Sequence, residues 1–237
     1  MVLFYRLGES GITADSCEIV ASALRSENSP LINLELQNNN IGDEGLSLLS
    51  TGLASSHCNL AKLRLDGCGL QAESCKILAS VLQTGSSSLI ELDLSYNCLQ
   101  DEGVTFLHAG LTSSCCRLEK LRLVKCSLTK HGCIWVASSL QSCPTLMALD
   151  LSHNLVTDEG MGKLCEGFMS PQCSLSCLRV VACHLTSESC ELLANRLQSE
   201  ESSLMKLKLS YNNLTDQGVK LLSEGLKSSN SKIETLE

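Results

Sequence analysis

The chain has 237 residues, a formal net charge of −8, a hydrophobic fraction of 43% and an aromatic fraction of only 3%. That length allows a sizeable core in one domain or two, but with so few aromatic rings leucine must fill it, as many copies of one small packing unit would. The acidic balance excludes a nucleic-acid partner held by phosphate contacts and an anionic membrane surface; no apolar run reaches the roughly 18 residues of a membrane helix, and the opening residues 1–7 turn polar too soon for a signal peptide.

In chain order, the sequence reads as one strand–turn–helix unit repeated. A degenerate first copy places Val2, Tyr5, Leu7, Ser10 and Ile12. The next reads Leu31, Leu34, Leu36, Asn39, Ile41, and the third Leu60, Leu63, Leu65, Cys68, Leu70. Then come Leu89, Leu92, Leu94, Asn97, Leu99, followed by Leu118, Leu121, Leu123, Cys126, Leu128. Leu146, Leu149, Leu151, Asn154, Val156 follow, then Leu175, Leu178, Val180, Cys183, Leu185, then Leu204, Leu207, Leu209, Asn212, Leu214. A truncated ninth copy keeps Ile233 and Leu236. The starts are spaced by 29 residues, once by 28. Period and consensus are the leucine-rich-repeat signature.

The ninth position alternates between Asn and another residue, mostly Cys. Asn-type units continue with Asp43-Glu44-Gly45, Asp101-Glu102-Gly103, Asp158-Glu159-Gly160 and Asp216-Gln217-Gly218; the others carry Cys17, Cys75, Cys133 and Cys190. The true period is therefore two units. Within each, leucines at positions 1, 4 and 6 share one side of a short strand. A position-9 Asn can bond loop backbone that no strand satisfies, and a thiol does so more weakly. The residues after the turn have helical spacing, as in Ser74–Leu82. Asp43, Asp101, Asp158 and Asp216 fall near helix starts, where N-capping or favourable dipole contact is expected. Strands stack about 4.8 Å apart and helices about 8–10 Å, so the stack curves with the strands inside.

This alternation resembles ribonuclease inhibitor and the C-terminal repeats of NOD-like receptors. The resemblance implies an α/β leucine-rich-repeat solenoid: a right-handed horseshoe of about eight 28- or 29-residue units in a single domain, residues 1–237, with a parallel concave sheet and convex helices. It implies a cytoplasmic binding surface for ligand sensing and autoinhibition in an innate immune receptor. The partner would be a protein, a microbial or danger-derived ligand, or the receptor's own nucleotide-binding module. The alternative is a ribonuclease-inhibitor-type cytosolic inhibitor or scaffold. Ribonuclease inhibitors commonly carry Trp at position 5 of their Cys-type units, where this chain has Arg6, Arg64, Arg122 and Arg179. That departure favours the receptor relatives.

Positions 2, 3, 5, 7 and 8 are expected on the concave face. Position 5 forms a column of Arg6, Glu35, Arg64, Asp93, Arg122, Asp150, Arg179 and Lys208, whose alternating signs suit a self-paired ladder. At its end Arg179 and Lys208 are consecutive cations with only Asp150 beside them, a place for an acidic group. In the position-8 column Tyr96, Lys125, His153 and Tyr211 are candidate contacts, the aromatics as anchors. Trp135 is expected in the helix-packing core.

No phosphate-binding loop, zinc-protease helix or nucleophile elbow occurs, so no catalytic residue and no cofactor is assigned. Cys173, Cys177, Cys183 and His184 are close in sequence, but Cys173 and Cys183 occupy repeat positions, so no metal is assigned either. The chain starts and stops inside a unit without a capping repeat; a fragment of a longer protein is expected, with Met1 and Leu236-Glu237 from cloning and an end open to self-association. Most of the 15 cysteines have packing positions, which favours reduced thiols. Thiol titration of the denatured, non-reduced chain is expected to find nearly all of them free; few free thiols would place the protein in an oxidising compartment.

Overall fold

The structure, a computed structural model, describes residues 3–27 and 29–237. Val2, the first position of the opening unit, and Met1 lie outside the described residues. The described residues form β1 (Leu3–Arg6), α1 (Ala14–Arg25), β2 (Leu31–Glu35), α2 (Gly42–Leu53), β3 (Lys62–Arg64), α3 (Ala72–Gln83), β4 (Glu91–Asp93), α4 (Gln100–Leu111), β5 (Lys120–Arg122), α5 (Lys130–Ser142), β6 (Ala148–Asp150), α6 (Thr157–Phe168), β7 (Cys177–Arg179), α7 (Ser187–Leu197), β8 (Lys206–Lys208), α8 (Thr215–Leu226) and β9 (Thr235–Leu236). The strands make one open parallel sheet in chain order. From Phe4 onward the register keeps each repeat position on its counterpart, so Leu63 faces Leu92 and Leu121 faces Leu149. This is the α/β solenoid that the repeat predicts. No described helix is long and apolar enough to cross a membrane.

Leucines of positions 1, 4 and 6 are buried throughout units two to eight, Leu34, Leu63 and Leu207 completely. The core is a continuous leucine column between sheet and helices, which no unit could close alone.

The position-9 amide holds consecutive turns together. Asn97 Oδ1 accepts from Cys68 N and Leu70 N of the preceding unit, both at 3.0 Å. Its Nδ2 donates to Leu65 O and Leu94 O, both at 2.8 Å. Asn39, Asn154 and Asn212 repeat the arrangement. In the Cys-type units the thiol donates instead: Cys68 Sγ to Leu36 O at 3.1 Å, Cys126 Sγ to Leu94 O and Cys183 Sγ to Leu151 O at 3.3 Å. An Asn thus serves four backbone groups and a Cys only one of comparable weight, because a thiol has a single weak proton to give.

The two-unit period arises from two kinds of joint. Within a pair, the Cys-type helix packs onto the following Asn-type helix through small residues. A Cβ on Gly110 would lie 2.7 Å from Ala79 Cα, and one on Gly103 would lie 3.1 Å from Cys75 Sγ. Gly45 with Cys17, Gly160 with Cys133 and Gly218 with Cys190 repeat the second contact, and Gly52, Gly167 and Gly225 repeat the first on Ala21, Ala137 and Ala194. The Gly of Asp-x-Gly is therefore a contact residue.

Between pairs the aspartate takes over: Asp43, Asp101 and Asp158 lie in the first turn of their own helices, where they meet the dipole as expected, but the start they cap is that of the next helix. Asp43 accepts from Gln71 N at 2.9 Å and from the Ser74 hydroxyl at the start of α3. Asp101 accepts from Thr129 N and Oγ1 at 2.8 and 2.6 Å. Asp158 accepts from Thr186 N and Oγ1 at 2.9 and 2.8 Å and from Ser189 N at 3.2 Å. Burial alone would raise the Asp158 pKa; the Ser189 and Thr186 hydrogen bonds outweigh it and lower it. For Asp216, in the last full unit, no described helix follows to be capped.

Each unit turns through left-handed backbone twice, at position 8 and again at position 10 (Cys type) or 12 (Asn type). Gly42 holds position 12 in the second unit at φ +59°, whereas Thr157 and Thr215 hold it at +59° and +56°. A β-branched residue is strained there, and the stacked turn overrides the preference.

Asn97→Ala is expected to destabilise the protein by about 3–5 kcal/mol, since it leaves several buried backbone groups unpaired at about 1–3 kcal/mol each. Cys126→Ala is expected to cost about 1 kcal/mol. Urea denaturation followed by circular dichroism measures both; equal losses would show that the amide and the thiol do the same work.

Candidate functional site

The strand face is built on strands mostly three residues long, so positions 3 and 5 point outward from the sheet while position 4 points into the core. The position-5 column is in place and largely self-paired. Arg122 meets Asp93 at 3.4 Å and Arg179 meets Asp150 at 3.7 Å, each from a Cys-type unit to the Asn-type unit before it. Asp93 and Asp150 are buried and fixed by the serine two residues on, Ser95 and Ser152, whose N–H donates to their Oδ1 at 3.1 Å. Arg6 pairs forward with Glu35 at 3.8 Å. Arg64 turns to Asp66 of its own strand end, at 3.4 Å, rather than to Asp93. Burial and the neighbouring Asp93 charge raise the Asp66 pKa, and Arg64 only partly offsets them.

Lys208 corrects the expected cationic end. It pairs with Glu237, which occupies position 5 of the ninth unit and continues the sheet through Glu237 N to Leu207 O at 3.1 Å. The ladder therefore runs on to residue 237, and Arg179 and Lys208 each have an acidic neighbour.

Tyr96, Lys125, His153 and Tyr211 stand apart from the charge column. Each has left-handed backbone in the turn beyond its strand, so the column runs along the rim at the strands' C-terminal ends. All four are exposed, Tyr96 at 57% and Tyr211 at 88%, and none of the four side chains is held by a hydrogen bond or ion pair among the described residues. On the helix side, Trp135 is 39% exposed. It lies in the seam between α4 and α5 against the His108 ring, 5.4 Å between centroids, and is a half-packed surface residue rather than core.

The position-3 column was not singled out from the sequence, although the same alignment displays it. Its first part is a second charge ladder, with Glu91 between Lys62 at 3.0 Å and Lys120 at 2.8 Å. Its second part has no such pairing: Ala148, Cys177 and Lys206 follow in register. Beside them Met147 and Met205, at position 2, are 40% and 37% exposed. Two depressions result. One is a polar cleft of about 230 Å³ over β2–β5, walled by paired charges. The other is an apolar-floored groove of about 490 Å³ over β5–β8.

No group of His, Cys, Asp or Glu with metal-binding geometry occurs among the described residues, and Cys173, Cys177, Cys183 and His184 do not converge. The cysteines are unbonded thiols, and burial pushes the Cys75, Cys126, Cys133 and Cys165 pKa values up to about 12. Such thiols are poor nucleophiles.

A family model described as leucine-rich repeat matches residues 27–50, 85–107, 142–165 and 202–223, the four Asn-type units. Similar curated proteins include the ribonuclease inhibitors of Sus scrofa, 39% identical over 193 residues, and Mus musculus, 40% over 193 residues. Each alignment covers 81% of this chain and 29% of the relative. The NACHT, LRR and PYD domains-containing protein 5 of Homo sapiens is 39% identical over 188 residues, 79% of this chain and 11% of that protein. The chain thus spans less than a third of the length of these relatives.

The ladder has a definite pH signature. Burial would raise the Glu91 pKa, but hydrogen bonds and charge from Lys120 and Lys62 outweigh it and lower it. A carboxylate with a lowered folded-state pKa adds stability above its unfolded pKa and loses it as pH falls through the folded value. Acid titration is therefore expected to detach Lys62 and Lys120 from Glu91 only below the ordinary glutamate range, and Glu91→Gln to abolish that step. Side-chain NMR shifts of Glu91 check this; a Glu91 titration at or above the ordinary value would contradict it.

Proposed function

We propose that this chain, a leucine-rich-repeat domain of the ribonuclease-inhibitor-like kind, is the ligand-sensing and autoinhibitory repeat region of an intracellular NOD-like innate immune receptor. Repeats of this architecture are binding frameworks rather than enzymes, and curvature gives them an extended face for proteins. The observation that carries the receptor reading is arginine at position 5 of the Cys-type units, Arg6, Arg64, Arg122 and Arg179, where ribonuclease inhibitors commonly carry Trp. The similarity to NACHT, LRR and PYD domains-containing proteins supports the same choice. Unbonded, largely buried thiols agree with a cytoplasmic setting.

In this reading the partner is a protein, a microbial or danger-derived ligand, or the receptor's own nucleotide-binding module, which would carry any nucleotide chemistry. It lies on the strand face over Arg64, Asp93, Arg122, Asp150, Arg179 and Lys208. Tyr96, Lys125, His153 and Tyr211 provide rim contacts, because unpaired exposed aromatic and basic side chains on a rigid support lose little entropy on binding. A second reading, a free ribonuclease-inhibitor-type inhibitor or scaffold, is favoured by the 193-residue alignments to pig and mouse ribonuclease inhibitor.

Two measurements separate the readings. The coding sequence upstream of these repeats is expected to encode a nucleotide-binding module with a G-x-x-x-x-G-K-[ST] loop. Pancreatic-type ribonuclease is expected to keep its full activity in the presence of this chain. Tight inhibition of the ribonuclease would overturn the receptor reading.

A further inference from the structure

We propose that the groove across β5–β8 is the docking site for an acidic protein segment that inserts an apolar side chain between Met147 and Met205. The inference rests on the reading of the strand face as a protein-binding surface and assigns it a location and a partner chemistry.

Three observations converge on this groove. First, the position-3 charge pairing over β3–β5 stops here, while the position-5 ladder continues along one side. At position 3 the sequence of Lys62, Glu91 and Lys120 gives way to Ala148 and Cys177, so that column loses its polar cover where the groove begins. Second, the floor is apolar and adaptable. Ser176 N and Cys177 N both donate to Met147 O at 2.9 and 3.0 Å, and Met205 N and Lys206 N both donate to Ser176 O at 2.8 and 2.9 Å. The same doubling recurs at Ala61, Ile90 and Glu119 and breaks strict strand alternation at position 2; in this part of the sheet the position is held by Met147 and Met205, which line the groove. Those two methionines lie two strands apart, about 10 Å at ordinary strand spacing, with the Cys177 strand between them. Thioether side chains repack around an incoming apolar group at little cost.

Third, the rim is cationic. Lys120, Arg122, Arg179 and Lys206 border the groove, against Asp150 and Glu234. Lys206 forms no ion pair among the described residues, and Arg122 and Lys120 remain half exposed despite their pairs. This positive rim belongs to a chain of net charge −8. A neutral apolar segment seated here would desolvate Lys206 with nothing opposite, whereas carboxylates flanking the apolar side chain would meet it. The acidic remainder of the surface repels the same segment elsewhere and so directs it to the groove. The floor has no aromatic ring on which a nucleobase would stack.

Cys177 supplies the readout, since it lies on the floor and Cys98, exposed and outside the groove, serves as an internal reference. The probe is a short acetylated, amidated peptide with two leucines flanked by glutamates. Its controls replace the leucines by serine or the glutamates by lysine. Anisotropy of the labelled peptide reports binding to the intact chain, and mass spectrometry after brief N-ethylmaleimide treatment reports alkylation of each cysteine. The acidic leucine peptide is expected to bind and to slow Cys177 alkylation about tenfold with Cys98 unchanged. Met147→Ser with Met205→Ser, or Lys206→Glu alone, is expected to weaken binding by about tenfold while far-UV circular dichroism stays that of the parent. Absence of binding, binding without protection of Cys177, or equal protection by either control peptide or by phosphatidylserine vesicles would overturn the proposal. The wider reading fails separately: it falls only if a partner's binding is also indifferent to Tyr96→Ala and His153→Ala on the rim.

Discussion

The constraint on which the rest of this structure depends is the backbone of the turn that follows each strand. It leaves the sheet without a strand partner, and it must do so inside the molecule. The buried Asn amide resolves this by accepting two N–H groups of the preceding unit and donating to carbonyls of both units. A side chain with that bonding capacity fixes how far apart two turns stand. The in-register sheet, the leucine columns and the side-chain columns of the strand face all inherit that spacing.

The thiol that alternates with the amide is a weaker clamp, and the alternation is repaired elsewhere. Glycine-on-alanine and glycine-on-cysteine contacts draw the two helices of a pair together, and aspartate capping ties one pair to the next. The joints use different physics. One is close apolar packing, indifferent to salt and pH; the other is a charge-assisted hydrogen-bond cluster at a helix start.

The fold was largely legible in the sequence because its signal is periodic, and a period needs no knowledge of contacts. Leu34, Leu63 and Leu92 announce the core through spacing alone. The aspartates' place in the first turn was legible, but not which helix they cap: capping rules are local, whereas Asp101 and Thr129 meet across 28 residues. The site was legible in part. Column 5 reads directly as an alternating ladder, but Glu237 closes it from a unit represented by a few residues, and that continuation was overlooked. Column 8 was placed on the sheet because strand alternation was carried too far; left-handed backbone at Tyr96 and His153 puts it on the rim. Met147 and Met205 were legible as position-2 residues of the strand face; the groove was not, because it forms where position-3 pairing stops at Ala148 and Cys177.

The two kinds of joint also set the grain at which such an array can change over generations. Removing one unit would set two like helices side by side, losing the glycine seam at one boundary or the aspartate cap at the other. Removing a Cys-type unit together with its Asn-type partner would leave every remaining joint with its proper mate. Gain and loss therefore proceed by pairs of turns, and the strand face is edited in blocks two strands wide.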